Sequence, residues 1–160
     1  LKTINNWRTE ISALFGFVEH TDKTEKPGRR AIELASNEDL VECFKVFLYN
    51  FQYPGAHIKP KNVLEQIENG IHFKPAQYIL KLLKFANREG GNSVGITKYE
   101  ACHCIFNDLR VTRDNEGVEK TWERISENRK KKLEYDQTGD VVRYAGDILD
   151  YMEIANLLKT

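Results

Sequence analysis

The residues from Pro75 to Gly91 place the firmest constraint on this chain. Pro75 suits the first turn of a helix, where its missing amide hydrogen costs nothing, and Ile79, Leu80, Leu82, Leu83 and Phe85 follow before Gly90-Gly91 ends the run. A helix with that much apolar surface needs other elements laid against it. Ser36 with Asp39 reads as a capping box opening a second helix, in which Leu40, Val41, Phe44, Phe47, Leu48 and Phe51 form a broad apolar face. Tyr53-Pro54-Gly55 should stop it. Three further helices are expected: Thr3 to Leu14 (Ile4, Trp7, Ile11, Leu14), Glu116 to Glu134 (Val118, Trp122, Ile125, Leu133) and Asp140 to Met152 (Val141, Tyr144, Ile148, Tyr151). A short one is expected around Val63, Leu64 and Ile67. Thr97 and Glu100 form another capping box, ahead of a two- to three-turn helix whose stripe is Ile96, Ala101 and Ile105.

Strand signals are sparse. Leu14-Phe15-Gly16-Phe17-Val18 is aromatic and β-branched; a polar loop runs to Pro27-Gly28, and Ala31 to Ala35 is a second short apolar segment. Helix, strand, polar loop and second segment follow the order of the back half of a winged helix, with Lys23, Lys26, Arg29 and Arg30 on the wing. Near the other end, Ile154-Ala155-Asn156-Leu157-Leu158 is expected as a strand after a helix. The fold class expected is therefore mainly α with short β wings, as tandem winged-helix (helix-turn-helix) subdomains. Residues 1–60 would hold the first, N-terminally incomplete, residues 61–74 a connector and residues 75–160 the second.

With 160 residues and 41% hydrophobic content, the chain can bury a core. Its 24 basic and 24 acidic residues cancel, so a polyanion partner requires basic residues segregated to one side. Three cysteines make no disulfide framework and suit a reducing cytoplasm. No apolar run approaches the roughly 20 residues of a membrane span, and no signal peptide is evident. Beginning at Leu1 inside an amphipathic pattern, the sequence reads as a piece of a longer protein.

Several short motifs keep their order and spacing along the chain. They are Phe15-Gly16-Phe17-Val18; Gly28 with Leu34-Ala35; Phe47-Leu48 running into Phe51-Gln52-Tyr53-Pro54; Pro75 leading to Ile79-Leu80-Leu82-Leu83-Lys84; Ile96-Thr97-Lys98 with Glu100; and Glu123-Ile125 leading to Arg129. In these the chain resembles the DNA-recognition region of type IIS restriction and nicking endonucleases related to AlwI, and more distantly FokI. The resemblance implies sequence-specific recognition of double-stranded DNA, with cleavage by a separate domain. Such nucleases hold Mg²⁺ on a Pro-Asp followed by an Asp/Glu-x-Lys, and this sequence has no convincing counterpart. Asp136, Asp140, Asp147 and Asp150 are numerous, but no lysine follows at the required place, and a solvated acidic helix face is the simpler reading. The chain is expected to bind and not cut. No cofactor is expected in it, Mg²⁺ belonging to the nuclease domain of the parent, and neither a membrane nor a small-molecule substrate is expected as a partner. A winged-helix transcriptional regulator and a protein-interaction scaffold are the alternatives, the latter suited by zero net charge.

Duplex recognition needs cations or amides on phosphates and planar bidentate groups on base edges. On the first helix Asn5, Asn6 and Arg8 point away from the apolar stripe and offer the groups that read adenine and guanine. Lys26, Arg29 and Arg30 would touch phosphate from the wing. Lys98, Arg110 and Arg113 flank the capped helix, and Arg143 lies on the helix before the terminal strand. Arg129 and Lys130 begin the densest basic cluster, which fits a backbone clamp or equally a helix end whose cations offset the macrodipole. Cys102-His103-Cys104 invites zinc, but on an α-helix the two thiols lie about 200° apart, so buried core thiols are expected and no metal site.

Overall fold

Two glycines allow the chain to double back on itself near its start. The computed structural model describes residues 12, 15–20, 24–37, 39–55, 60–90 and 93–159; apart from Ser12, the helix expected from Thr3 to Leu14 lies outside them, with Asn5, Asn6 and Arg8, as does Lys23. Strands β1 (Val18–His20) and β2 (Glu25–Pro27) pair antiparallel, with Val18 opposite Pro27, Glu19 opposite Lys26 and His20 opposite Glu25. At the base of the hairpin the Gly28 amide donates to the Phe17 carbonyl at 2.8 Å. A Cβ at position 28 would lie 2.1 Å from the Gly16 carbonyl oxygen, and Gly16 itself sits at φ 67°. Only glycine permits this approach.

Helix α1 (Arg29–Asn37) starts directly after the hairpin. The segment Ala31–Ala35, expected as the second wing strand, is therefore helical, and Arg29 and Arg30 sit in a helix's first turn, off the wing. The cause is local: the Gly28 carbonyl accepts from the amides of Ala31 and Ile32, and Arg29 Nε pairs with Glu33 one turn on at 2.7 Å. Helix α2 (Leu40–Asn50) is capped by Asp39, whose carboxylate accepts from the Glu42 amide at 2.9 Å. Ser36 takes no part in that cap; its hydroxyl donates back to the Ile32 carbonyl within α1. Beyond α2, Tyr53 and Phe73 exchange backbone hydrogen bonds of 2.8 and 3.0 Å, which bracket α3 (Pro60–Glu68). Of the apolar residues expected to bury α3, Leu64 and Ile67 are exposed.

Helix α4 (Pro75–Gly90) runs as expected and buries Pro75, Ala76, Ile79, Leu82 and Ala86. The Thr97–Glu100 capping box is present at the start of α5 (Lys98–Ala101). After one α-turn the chain widens into a π-helical turn, Cys102–Phe106, in which the Asn107 amide reaches back to the Cys102 carbonyl at 2.9 Å. Asp108 then caps α6 (Leu109–Thr112), Gly117 opens α7 (Val118–Lys130), and α8 (Asp140–Ile154) follows. The strand expected from Ile154 to Leu158 is instead the end of α8 and a closing turn. Asn156 adopts φ 54° and the Leu157 amide donates to the Met152 carbonyl, so this backbone is bonded to its own helix. Among the described residues there is one β-hairpin and no second wing.

One core joins the two ends. Phe15 is fully buried, with its ring centroid 4.1 Å from Phe47, 4.7 Å from Phe44 and 5.2 Å from Tyr151 of α8. Each such aromatic pair adds about 0.5–1.5 kcal/mol beyond the area it buries. Ile79 and Leu82 of α4, Ile105 of the π turn, Ile125 of α7 and Ile148 with Met152 of α8 belong to the same cluster. The protein is mainly helical, with a small antiparallel hairpin at one end of the chain.

Candidate nucleic-acid interface

The hairpin and the turn after it carry the first set of cations. Lys26 is exposed on β2, across from Glu19. Arg29 projects into solvent, 89% exposed, while holding Glu33. Arg30 turns inward: its guanidinium donates to the Phe15 carbonyl at 3.3 Å and lies 5.8 Å from the centre of the Phe47 ring. It ties α1 to the aromatic core.

Around the capped helix, Lys98 is exposed with its ammonium 5.1 Å from the Tyr99 ring centre. Arg110 grips Asp108 through two hydrogen bonds of 2.8 and 2.7 Å, and Arg113 holds the adjacent Asp114. Asp108 also receives Arg124 at 3.0 Å, and Arg124 reaches Glu116 at 2.7 Å. Burial alone would raise the Asp108 carboxyl, but the Arg110 hydrogen bonds and the Arg124 charge outweigh it and hold it below the ordinary aspartate value. Thr121 and Tyr78 extend this network to α4, the tyrosine hydroxyl lying 2.7 Å from Thr121 Oγ1. The loops before α6 and α7 are thereby fixed in shape.

Arg129 has an internal task. Its Nε and Nη2 donate to the two oxygens of Glu100 at 2.6 and 2.8 Å, Nη2 also donates to the Gly95 carbonyl at 2.7 Å, and the guanidinium stacks 5.3 Å from the Trp122 ring centre. Glu100 Oε2 meanwhile accepts the Thr97 amide, so one buried carboxylate serves both the capping box and the end of α7. Burial would raise the Glu100 carboxyl; hydrogen bonds from Arg129 and Thr97 prevail and lower it. Lys130, next in sequence, is exposed at the last position of α7. Arg143 on α8 is half-exposed, 3.6 Å from Asp140 and 4.9 Å from the Tyr144 ring centre.

The acids of α8 form no uniform solvated face. Asp140 and Asp150 are exposed, whereas Asp147 is half-buried and its carboxyl is pushed up, chiefly by burial. They do not fit a Mg²⁺ site, because Asp140 faces Arg143 and the described residues contain no group of three His, Cys, Asp or Glu placed to hold a metal ion. Cys102 and Cys104 are buried, as expected. The Cys104 thiol sits 3.4 Å from the Tyr135 hydroxyl, and the Cys102 thiol accepts from Asn107 Nδ2. None of the described helices is long and apolar enough to cross a membrane.

The candidate residues thus fall on the hairpin–α1 junction, on α5 and α6, and on the ends of α7 and α8. None of them lines the cleft of about 600 Å³ formed by Gln52, His72, Lys74, Gln77, Lys81 and Asn115 among others. His72 Nδ1 lies 2.9 Å from the Gly70 carbonyl, the geometry of an N–H donor, which leaves Nε2 to accept from Asn115 Nδ2 at 2.9 Å. Lys74, just before α4, and Lys81 within it are not among the residues singled out from the sequence, where α4 stands out for its apolar stripe.

A family model for the N-terminal region of restriction endonuclease BpuJI matches residues 1–160. The chain belongs to this BpuJI N-terminal family. No curated protein matches it. Among solved structures, one of pyrene- and phenanthrene-modified DNA in complex with the BpuJ1 endonuclease binding domain superposes on 99% of the chain with a TM-score of 0.84 and 26% sequence identity. The match covers 59% of that solved chain, so the present residues span rather more than half of its length. The coarser part of the resemblance read from sequence, a recognition region of a restriction endonuclease, agrees with this family. The particular relation to AlwI and FokI is not part of the match.

Proposed function

We propose that this chain recognises a short specific sequence in double-stranded DNA, as the specificity part of a type IIS restriction or nicking endonuclease whose Mg²⁺-dependent cleavage is supplied by a separate domain. The observation that carries the reading is the likeness, over nearly the whole chain, to an endonuclease binding domain solved with DNA. Family membership supports it, as does a fold that displays a hairpin and several helix ends from one rigid core. Kinship with AlwI, and more distantly FokI, is the finer part of the proposal, together with a cytoplasmic location.

Lys26, Arg29, Lys98, Arg110, Arg113, Lys130 and Arg143 keep cationic groups at the surface and are assigned to phosphate or base contacts. Asn5, Asn6 and Arg8 keep the base-reading role given by their side-chain chemistry. Arg30 and Arg129 act by positioning the elements that carry the others.

Selection of bound duplexes from a random library is the test. One asymmetric sequence should be enriched, and its affinity should fall steeply with salt. A library recovered without enrichment refutes specific recognition, and an unchanged mobility of DNA at low salt would favour the scaffold reading. Mg²⁺-dependent cleavage by the isolated chain would overturn the division of labour between domains.

A further inference from the structure

Helix α4, the longest among the described residues, carries a solvent face of its own. On α4 the buried residues Ala76, Ile79, Leu82 and Ala86 centre on one side. At about 100° per residue, Gln77, Lys81, Lys84 and Arg88 all fall within roughly 40° of the opposite pole, and Lys74, one residue before the helix, continues the row. Their spacing alternates three and four residues, which is the condition for a straight row along a helix. No acidic residue interrupts it. Lys74, Lys81, Lys84 and Arg88 are all exposed. The row spans about 21 Å at 1.5 Å per residue.

These cations differ from the arginines elsewhere that are tied up in ion pairs. Arg29, Arg110, Arg113, Arg124, Arg129 and Arg143 each already hold a carboxylate. Among the described residues, Lys74, Lys81, Lys84 and Arg88 form no ion pair. Glu119 lines the same cleft as Lys74 and Lys81 yet pairs with neither. In a chain of zero net charge, a row of uncompensated cations is the segregation that a polyanion partner requires. Gln77 is held in the row by its amide, which donates to the Tyr49 carbonyl at 3.0 Å, and the exposed Tyr49 ring lies 6.0 Å from the Lys74 ammonium. Ile79, Leu82 and Ala86, fully buried beneath, anchor the helix to the core.

We propose that the outer face of α4, through Lys74, Lys81, Lys84 and Arg88, grips the phosphate backbone of the DNA duplex. The inference rests on the DNA-binding reading and deepens it by naming the surface that supplies sequence-independent affinity. Each phosphate neutralised contributes about 0.9 to the slope of log affinity against log salt.

The test compares three forms of the chain on a duplex of arbitrary sequence by fluorescence anisotropy across a salt series. The variant Lys81→Gln/Lys84→Gln/Arg88→Gln should bind more weakly at every salt concentration, with its slope reduced by about 2 to 3 and its melting temperature unchanged. A control, Lys45→Gln/Lys61→Gln/Lys159→Gln, removes the same formal charge from other surfaces and should keep the wild-type slope. A wild-type slope in the α4 variant overturns this inference alone. An equal fall in the control overturns the localisation to α4. Failure of the wild type to bind duplex even at low salt overturns the DNA reading and this inference with it.

Discussion

Replacing Arg129 by methionine keeps an aliphatic stem over Trp122 but removes both hydrogen bonds to Glu100. The Glu100 side chain is 6% exposed, so its carboxylate would be left with the Thr97 amide and little water. Deleting one partner of a fully buried pair costs about 3–5 kcal/mol. Arg129 is itself 40% exposed, so solvent can enter the vacated side and the expected loss is nearer about 2 kcal/mol. For a chain of this size that lowers the melting temperature by about 4–8 °C. The loss carries a pH signature. In the wild type the folded Glu100 carboxyl lies below its ordinary value of 4.5, so its contribution is present above that value and disappears as pH falls through the lower, folded one. In the variant, burial is opposed only by the Thr97 hydrogen bonds, and protonation relieves the stranded charge. The gap between the two proteins should therefore narrow as pH drops from neutral to below 4.5. Thermal unfolding followed by circular dichroism across that range, with Glu100→Gln as a partner in a double-mutant cycle, measures both quantities. Equal melting temperatures at neutral pH, or a gap that ignores pH, would refute this account of how α5 and α7 are joined.

Glycines 28 and 146 should respond in opposite directions to alanine. Gly28→Ala drives a methyl into the Gly16 carbonyl and should cost about 2 kcal/mol or more in chemical denaturation; Gly146→Ala, with open space around its Cβ inside α8, should gain up to about 1 kcal/mol. The thiols should separate by accessibility: Cys43 reacts with a thiol reagent in the folded protein, while Cys102 and Cys104 react only at the rate of unfolding. Fast labelling of all three would contradict the burial of the π turn.

Local chemistry was the legible part of this sequence. The Thr97–Glu100 box and α4 depend on neighbours three or four residues apart, and both stand where the residues indicated. Arg129, by contrast, reads as the start of a basic cluster, because nothing in the sequence shows that Glu100 lies beneath it. Leu157 and Leu158 look like a strand in a one-dimensional reading, since a short apolar run does not distinguish a strand from a helix end wrapped onto a core. Arg29 and Arg30 follow a loop-like Pro27-Gly28 and read as wing residues, although α1 begins at Arg29. Of the candidate site, the charged residue types are visible in the sequence, but not which of them are already paired: Arg129 holds Glu100, whereas Lys81, Lys84 and Arg88 hold no carboxylate among the described residues.

The π turn at Cys102–Phe106 is, in effect, one residue too many for an α-helix. Without that residue a regular helix would run through, and Asp108 would face about 100° away from its present direction, out of reach of Arg124. Insertion and ion pair thus depend on one another. Among relatives, a one-residue gap across this turn should coincide with loss of an acid at the position of Asp108 or of the arginine that meets it.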